Sequence, residues 1–178
     1  MGSGRALPAS PGDCLALSLR ETPFHEAGRT VVAGLLPLVP EGLVLVADDE
    51  ESIRVLCRVN LQVEGVEVLE ARDGSEALEI AMRERPDLVL LDVMMPEIDG
   101  WEVARSLAED PATRTIPILF MTALAGADDR RRGFDAGGVG YIVKPFDPIR
   151  LGEKVNRTLE LLDNGDRDRL RREMLDGP

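Results

Sequence analysis

The sequence predicts an α/β protein in which helices cover both faces of an open, five-stranded parallel sheet. Two observations lead to this fold class. Short apolar runs of strand length alternate five times with segments of helical periodicity. The runs at residues 43–47 and 88–91 are apolar at every position, as expected for strands buried on both faces of a parallel sheet. Right-handed crossovers are expected to join such strands.

The first predicted strand, residues 43–47, leads into a helix that ends at Gly65. Its apolar positions recur at helical spacing and are Ile53, Leu56, Cys57 and Leu61. Residues 66–69 form a second, short strand. Cys57 is interpreted as a small core residue, because it falls among apolar neighbours and forms no CxxC pair.

Asp73 and Glu76 have the spacing of a capping box, which predicts a helix through Arg85 that stops before Pro86. The third predicted strand follows at residues 88–92. It is central to the prediction, because its apolar run leads directly into a carboxylate.

The second half of the domain repeats this alternation. Asp99 and Glu102 again have capping spacing and open a helix to about residue 109. A strand at 116–121 and a polar helix at 128–136 follow.

Glycines between residues 137 and 140 are expected to loosen the next connection. A short strand at 141–143 then precedes the last helix. Asp147 as N-cap and Pro148 at the first helical position start this helix, which runs to about Leu162.

Three segments are expected: a poorly ordered leader at 1–41, the folded domain at 42–162 and a charged C-terminal tail at 163–178. An overlong start-site assignment would also explain the leader. His25, the one histidine, is interpreted as a solvated side chain. Because proline and glycine interrupt the apolar stretch at 31–47, neither a membrane span nor a signal peptide is predicted, and we expect a cytoplasmic protein.

Charge limits the classes of partner. The net charge is −12, and residues 43–162 carry 14 basic and 24 acidic side chains, a net of −10. Such a domain repels nucleic-acid phosphates, so direct nucleic-acid binding is not expected. The same excess of acid suits a divalent cation.

Polar side chains stand where four of the five predicted strands end. They are Asp48 and Asp49, Asp92, Thr122 and Lys144. Because ligands of open parallel sheets bind outside the carboxyl ends of the strands, we expect these side chains to converge.

Three converging carboxylates would repel one another and raise each other's pKa, and a Mg²⁺ ion bound through oxygen ligands removes that conflict. One of the carboxylates can then attack phosphorus as a nucleophile, with Thr122 and Lys144 as donors to the phosphoryl oxygens. Lys144 stands out because the chain has 2 lysines and 19 arginines. Each residue also has a structural interpretation, and Asp48 or Asp49 in particular could cap the following helix.

With these residues in place, the chain resembles the receiver domain of two-component response regulators over residues 43–162. The matching stretches are VLVADDE at 44–50, LVLLDVMMP at 88–96 with DG at 99–100, PILFM at 117–121 with TA at 122–123, and YIVKPF at 141–146. The resemblance implies a flavodoxin-like sheet of order 2-1-3-4-5 and a cis bond between residues 144 and 145.

The resemblance also implies roles for individual residues. Asp92 would accept a phosphoryl group from a histidine kinase or phosphotransfer protein. Asp49 and Asp92 would bind Mg²⁺ directly, Asp48 mainly through water and Met94 through its backbone carbonyl. Thr122 and Lys144 would hold the phosphoryl oxygens. Such a protein is not an enzyme beyond its own phosphorylation and dephosphorylation.

In this family Tyr141 turns inward on phosphorylation, which repacks a contact surface. Our hypothesis places that surface at Arg130, Arg131, Arg132, Tyr141 and the last helix, although a solvated helix face would equally explain the arginines. Residues after Leu162 are too few for a DNA-binding module, which favours a single-domain regulator that acts through a downstream protein target or a phosphorelay. A detached receiver of a larger hybrid protein is the alternative.

Three other functional classes fit less well. A flavin-binding protein of the same topology would need a Ser/Thr/Gly-rich loop where Asp48, Asp49 and Glu50 stand. An aspartate-nucleophile phosphatase would want a second acid at Met94. A receiver that works without phosphorylation would not need the complete acidic set.

Overall fold

The computed structural model describes residues 42–123, 131–133, 135–166 and 169. All of these residues lie in one compact unit of the chain. The predictions for the leader and for His25, Arg130 and most of the C-terminal tail fall outside the described residues.

Five parallel strands form one sheet of order β2-β1-β3-β4-β5, which confirms the predicted fold class and strand order. The strands are β1 (Leu43–Ala47), β2 (Glu67–Ala71), β3 (Leu88–Asp92), β4 (Ile118–Thr122) and β5 (Gly138–Val143). The helices are α1 (Glu51–Val63), α2 (Gly74–Glu84), α3 (Gly100–Glu109) and α4 (Pro148–Asp163). Residues 131–133 and 135 are also helical, within the segment where the sequence predicts a polar helix.

The sheet separates two apolar clusters because alternate side chains of each strand point to opposite faces. Leu45 and Leu91 belong to the cluster that α2 and α3 cover, and Val46 and Leu90 belong to the cluster that α1 and α4 cover. β1 and β3 are therefore buried on both sides, which explains their uninterrupted apolar sequences. Cys57 lies in the second cluster, and burial raises the pKa of its thiol to about 12, as expected of a core residue.

Three predicted caps are present. Asp73 accepts a hydrogen bond from the Glu76 N–H and Asp99 accepts one from the Glu102 N–H, both at 2.8 Å. The Asp147 carboxylate accepts one from the Ile149 N–H at 2.9 Å. The capping alternative for Asp48 and Asp49 is not observed, since Glu50 is the N-cap of α1.

The glycine-rich segment before Tyr141 differs from the expectation. Gly138, Val139 and Gly140 are not a loosened loop but the buried first half of β5. A Cβ atom on Gly138 would lie 2.5 Å from Cε2 of Phe120, so the glycine makes room for a core ring on the neighbouring strand. A register shift beside Ile118 accompanies this close approach.

Other element boundaries move by one or two residues. β2 begins at Glu67, α2 ends at Glu84, and β4 occupies Ile118–Thr122. The predicted cis peptide bond between Lys144 and Pro145 is present. Within the described part of the chain, we find no helix with the length and apolar character that crossing a bilayer would require.

We predict that Gly138→Ala lowers the free energy of unfolding by about 1–3 kcal/mol, because the added methyl group overpacks against Phe120. Urea unfolding measures the change. Gly152→Ala is the matched control. A Cβ at this position would meet only the exposed, flexible Glu64 side chain, with its Cγ nearest at 3.0 Å. Alanine is also favoured over glycine inside a helix. An unchanged unfolding midpoint for Gly138→Ala would show that the strand tolerates a side chain here.

Candidate functional site

The polar residues at the strand ends meet at the carboxyl edge of the sheet. β1 ends immediately before Asp48, β3 ends with Asp92 and β4 ends with Thr122. Lys144 directly follows β5 and donates its backbone N–H to the Thr122 carbonyl at 2.8 Å. This is the convergence that the sequence predicts for an open parallel sheet.

Lys144 joins two of the carboxylates. Its Nζ lies 2.6 Å from Oδ2 of Asp48 and 2.8 Å from Oδ1 of Asp92. The strand order places β4 between β5 and β3, so the lysine side chain reaches past β4 to contact residues of β3 and of the loop after β1. A slim, flexible stem with a compact charge suits that reach.

Backbone N–H groups hold the remaining oxygens of both carboxylates. Oδ1 of Asp48 accepts from the Glu50 N–H at 3.0 Å, and Oδ2 of Asp92 accepts from the Met94 N–H at 3.1 Å. Asp48 is 0% exposed and Asp92 is 4% exposed. Buried carboxylates of this kind keep a fixed orientation only because every oxygen has a partner.

Burial raises the pKa of Asp48, although the Lys144 ammonium and the Glu50 N–H oppose that shift. Repulsion by Asp92 contributes least, so the expected mutual repulsion of the carboxylates is a minor cause. For Lys144, burial acts to lower the pKa, but the hydrogen bonds to Asp48 and Asp92 outweigh it and raise the pKa. Lys144 is therefore a cation at neutral pH.

Asp48, Asp49 and Asp92 each offer a carboxylate oxygen, and these three oxygens lie within 4.8 Å of one another. Opposite ligands of an octahedral Mg²⁺ are about 4.2 Å apart. Three oxygens within 4.8 Å of one another therefore suit this ion when one of the carboxylates binds it through a water molecule. The donor set fits as well, because all three are hard oxygen ligands and Asp49 is exposed toward solvent.

Thr122 and Met94 are the remaining residues of the predicted site. Thr122 is buried at the end of β4, beside the strand that leads to Lys144. Met94 contributes its backbone N–H to Asp92, while its side chain is exposed.

Arg54 makes a contact with the site that the sequence did not predict. Its Nη1 donates to the carbonyl oxygen of Asp48 at 2.8 Å and to that of Asp49 at 3.2 Å. An arginine on the first turn of the helix that follows two acidic residues was the available signal, but nothing in its spacing distinguishes it from a solvated cation.

The structure describes part of the predicted contact surface, but not Arg130. Arg131 and Arg132 are exposed, and the Arg132 guanidinium lies 5.3 Å from the ring centroid of Trp101. Tyr141 is already buried, with its ring centroid 5.6 Å from that of Phe120. A Cβ on Gly133 would lie 1.6 Å from the Tyr141 hydroxyl oxygen, so the absent side chain at that position leaves room for the tyrosine.

Comparison with known proteins agrees with this geometry. Residues 44–156 match the family model of the response regulator receiver domain. The chain is 42% identical over 120 residues to the probable transcriptional regulator ycf27 of Porphyridium aerugineum and 45% identical over 112 residues to the response regulator PleD of Caulobacter vibrioides. These alignments cover 67% and 63% of this chain, but 49% and 25% of the relatives, so the chain spans about half or less of the curated relatives it matches.

Solved structures give the same result. Chemotaxis protein CheY4 of Vibrio cholerae superposes with a TM-score of 0.62 at 36% identity, over 65% of this chain and 96% of that one. The receiver domain of the Francisella response regulator 1452 superposes with a TM-score of 0.64 at 28% identity, over 68% of this chain and 98% of that one. The chain belongs to the response regulator receiver domain family of two-component signal transduction.

Proposed function

We propose that Asp92 is the phosphoacceptor and that it takes a phosphoryl group, with Mg²⁺, from a histidine kinase or a phosphotransfer protein. The observation that supports this most directly is the pairing of Lys144 with Asp92 and Asp48, next to Asp49. One carboxylate of this group sits at the end of the central strand, and the others would hold a cation beside it.

In the proposed transfer, a carboxylate oxygen of Asp92 attacks phosphorus, an O–P bond forms, and the N–P bond to the donor imidazole breaks. The leaving imidazole keeps the electron pair and takes up a proton. Bound Mg²⁺ would neutralise charge on the phosphoryl oxygens. Asp48, Asp49, Asp92 and the Met94 carbonyl would hold that ion.

Lys144 and Thr122 have the remaining roles. The Lys144 ammonium, which now donates a hydrogen bond to Asp92, would donate to a phosphoryl oxygen instead, because formation of the acyl phosphate removes the charge of the acceptor carboxylate. The Thr122 hydroxyl would serve a second phosphoryl oxygen. Hydrolysis of the aspartyl phosphate would complete the cycle, and no other reaction is assigned to the chain.

The output would be a change in protein contacts. The surface that we assign to it contains the exposed Arg131 and Arg132 and the outer face of α4. Tyr141 lies beneath this surface in the present conformation, so it would act by repacking and not as a contact residue. The net charge of −10 over residues 43–162 supports a protein target over direct nucleic-acid contact by this domain. Action in the cytoplasm, with no membrane contact, stays a prediction, as do the domain boundaries 42–162.

Incubation of the full chain with acetyl phosphate and Mg²⁺ is expected to add the mass of one phosphoryl group, measured by intact mass spectrometry. Asp92→Ala should abolish the addition because the nucleophile is lost. Asp99→Ala, which removes the carboxylate that caps α3, should still be modified. Phosphorylation of Asp92→Ala to the level of the wild type would refute the assignment.

Lys144→Met is expected to lower the free energy of unfolding without Mg²⁺ by about 3 kcal/mol, because it leaves two neighbouring buried carboxylates without their cation. Added Mg²⁺ should raise the melting temperature of this variant more than that of the wild type, since the ion no longer competes with an ammonium group. Differential scanning fluorimetry measures both effects.

Lys154→Met is the matched control, because Lys154 is the other lysine and donates to the Tyr141 carbonyl, not to the carboxylates. Its response to Mg²⁺ should equal that of the wild type. Equal Mg²⁺-induced shifts for Lys144→Met and the wild type would exclude competition between the ammonium group and the metal.

Charge reversal at Arg131 tests the contact surface. Arg131→Glu should weaken binding of the phosphorylated protein to its downstream target several-fold, measured by surface plasmon resonance. Arg105→Glu places the same change on an exposed position of α3 and should leave the affinity unchanged. If both variants bind every partner as the wild type does, the surface lies elsewhere.

A further inference from the structure

We propose that Arg54 is a positioning residue that sets the affinity of the acidic group for Mg²⁺ by fixing the backbone of Asp48 and Asp49. This inference rests on the proposed function, because it concerns the metal that phosphoryl transfer would require. Arg54 itself would touch neither the metal nor the phosphoryl group.

The contacts of Arg54 are specific to the segment that carries the metal-binding side chains. Nη1 donates to the carbonyl oxygens of Asp48 and Asp49, the two residues that follow β1. The Asp48 N–H donates to the Ala71 carbonyl of β2 at 3.1 Å. The backbone of this short segment is therefore held from two sides, after the strand itself has ended.

Arg54 also forms an ion pair with β2. Its Nε lies 3.8 Å from Oε2 of Glu70, and the Arg54 side chain is 14% exposed. Glu70 is opposite Val46 in the parallel register of β1 and β2, close to the end of β1. The guanidinium thus links the edge strand to the acidic segment.

Two effects of Arg54 on the metal oppose each other. Its positive charge would repel Mg²⁺, and its hydrogen bonds would keep the acidic side chains in the geometry that binds it. The Glu70 carboxylate offsets the positive charge of Arg54. Among the described residues, no other side chain donates a hydrogen bond to the carbonyl oxygens of Asp48 and Asp49. We therefore expect the positioning effect to be the larger one.

Arg58 provides an internal comparison. It is on the same helix, one turn after Arg54, and its Nε lies 2.6 Å from Oε1 of the same Glu70. Among the described residues, Arg58 forms no hydrogen bond or ion pair with the acidic segment. Loss of Arg58 removes an ion pair with Glu70 and leaves the hydrogen bonds to Asp48 and Asp49 in place.

The test is calorimetric titration of MgCl₂ into the metal-free full chain, for the wild type, Arg54→Met and Arg58→Met. Loss of groups that orient metal ligands typically costs about 10–100-fold in affinity, so we expect the Kd of Arg54→Met to rise by about tenfold or more. Arg58→Met should stay within about twofold of the wild type.

A second readout separates affinity from chemistry. The rate of phosphorylation by acetyl phosphate, measured against Mg²⁺ concentration, should show a higher half-saturating concentration for Arg54→Met and a maximal rate close to that of the wild type. A variant that is merely unstable would lose amplitude at every Mg²⁺ concentration. Thermal unfolding in a chelator measures stability independently.

If Arg54→Met does not fold, Arg54→Lys replaces it, because this change keeps the positive charge and removes the guanidinium that bonds to the acidic segment. Its Mg²⁺ affinity should fall several-fold. An affinity equal to or tighter than that of the wild type in Arg54→Met, or in Arg54→Lys where that variant replaces it, would overturn the inference, as would an equal loss in Arg58→Met. If the wild type does not bind Mg²⁺, it is the proposed function that fails.

Discussion

One ammonium group shared by two buried carboxylates holds the functional edge of this protein together. Lys144 comes from the end of β5, Asp92 from the end of β3 and Asp48 from the segment after β1. Without the lysine, the two carboxylates would be desolvated next to each other, which is strongly unfavourable. With it, the group of three acids and one base keeps a net negative charge that attracts a divalent cation.

The apolar sheet makes this arrangement possible. Strands β1 and β3 are buried on both faces, so their ends are fixed by packing on two sides. Polar residues tolerate burial at these ends because backbone N–H groups of the following loops are free to bind them, as Glu50 and Met94 do. A rigid core therefore positions charged groups that a loop alone would not hold.

The sequence predicted features that depend on local patterns or on the topology of parallel sheets. Asp73, Asp99 and Asp147 cap their helices because capping needs only nearby residues, and the strand ends converge because the strands are parallel. Contacts between distant segments were not predictable in the same way. Gly138 looks like a loop residue until Phe120 of the neighbouring strand is placed against it.

The contact between Arg54 and the acidic segment is local in sequence, but it was not predictable either, because the spacing of an arginine on the first turn of a helix does not distinguish it from a solvated cation. The burial of Tyr141 is a contact between distant segments. The burial of Tyr141 depends on Gly133 and on the Phe120 ring, which lie on other elements. Roles inferred from a resemblance do not report which conformation a side chain occupies.

The aromatic packing around Phe120 gives the protein an intrinsic optical reporter. Trp101 is the one tryptophan of the chain, and its ring centroid lies 4.6 Å from that of Phe120, which also contacts the Tyr141 ring. Indole emission depends on the polarity and packing of its surroundings. Any movement of Tyr141 or Arg132 relative to the indole ring would therefore shift or quench the ultraviolet fluorescence of the unlabelled protein.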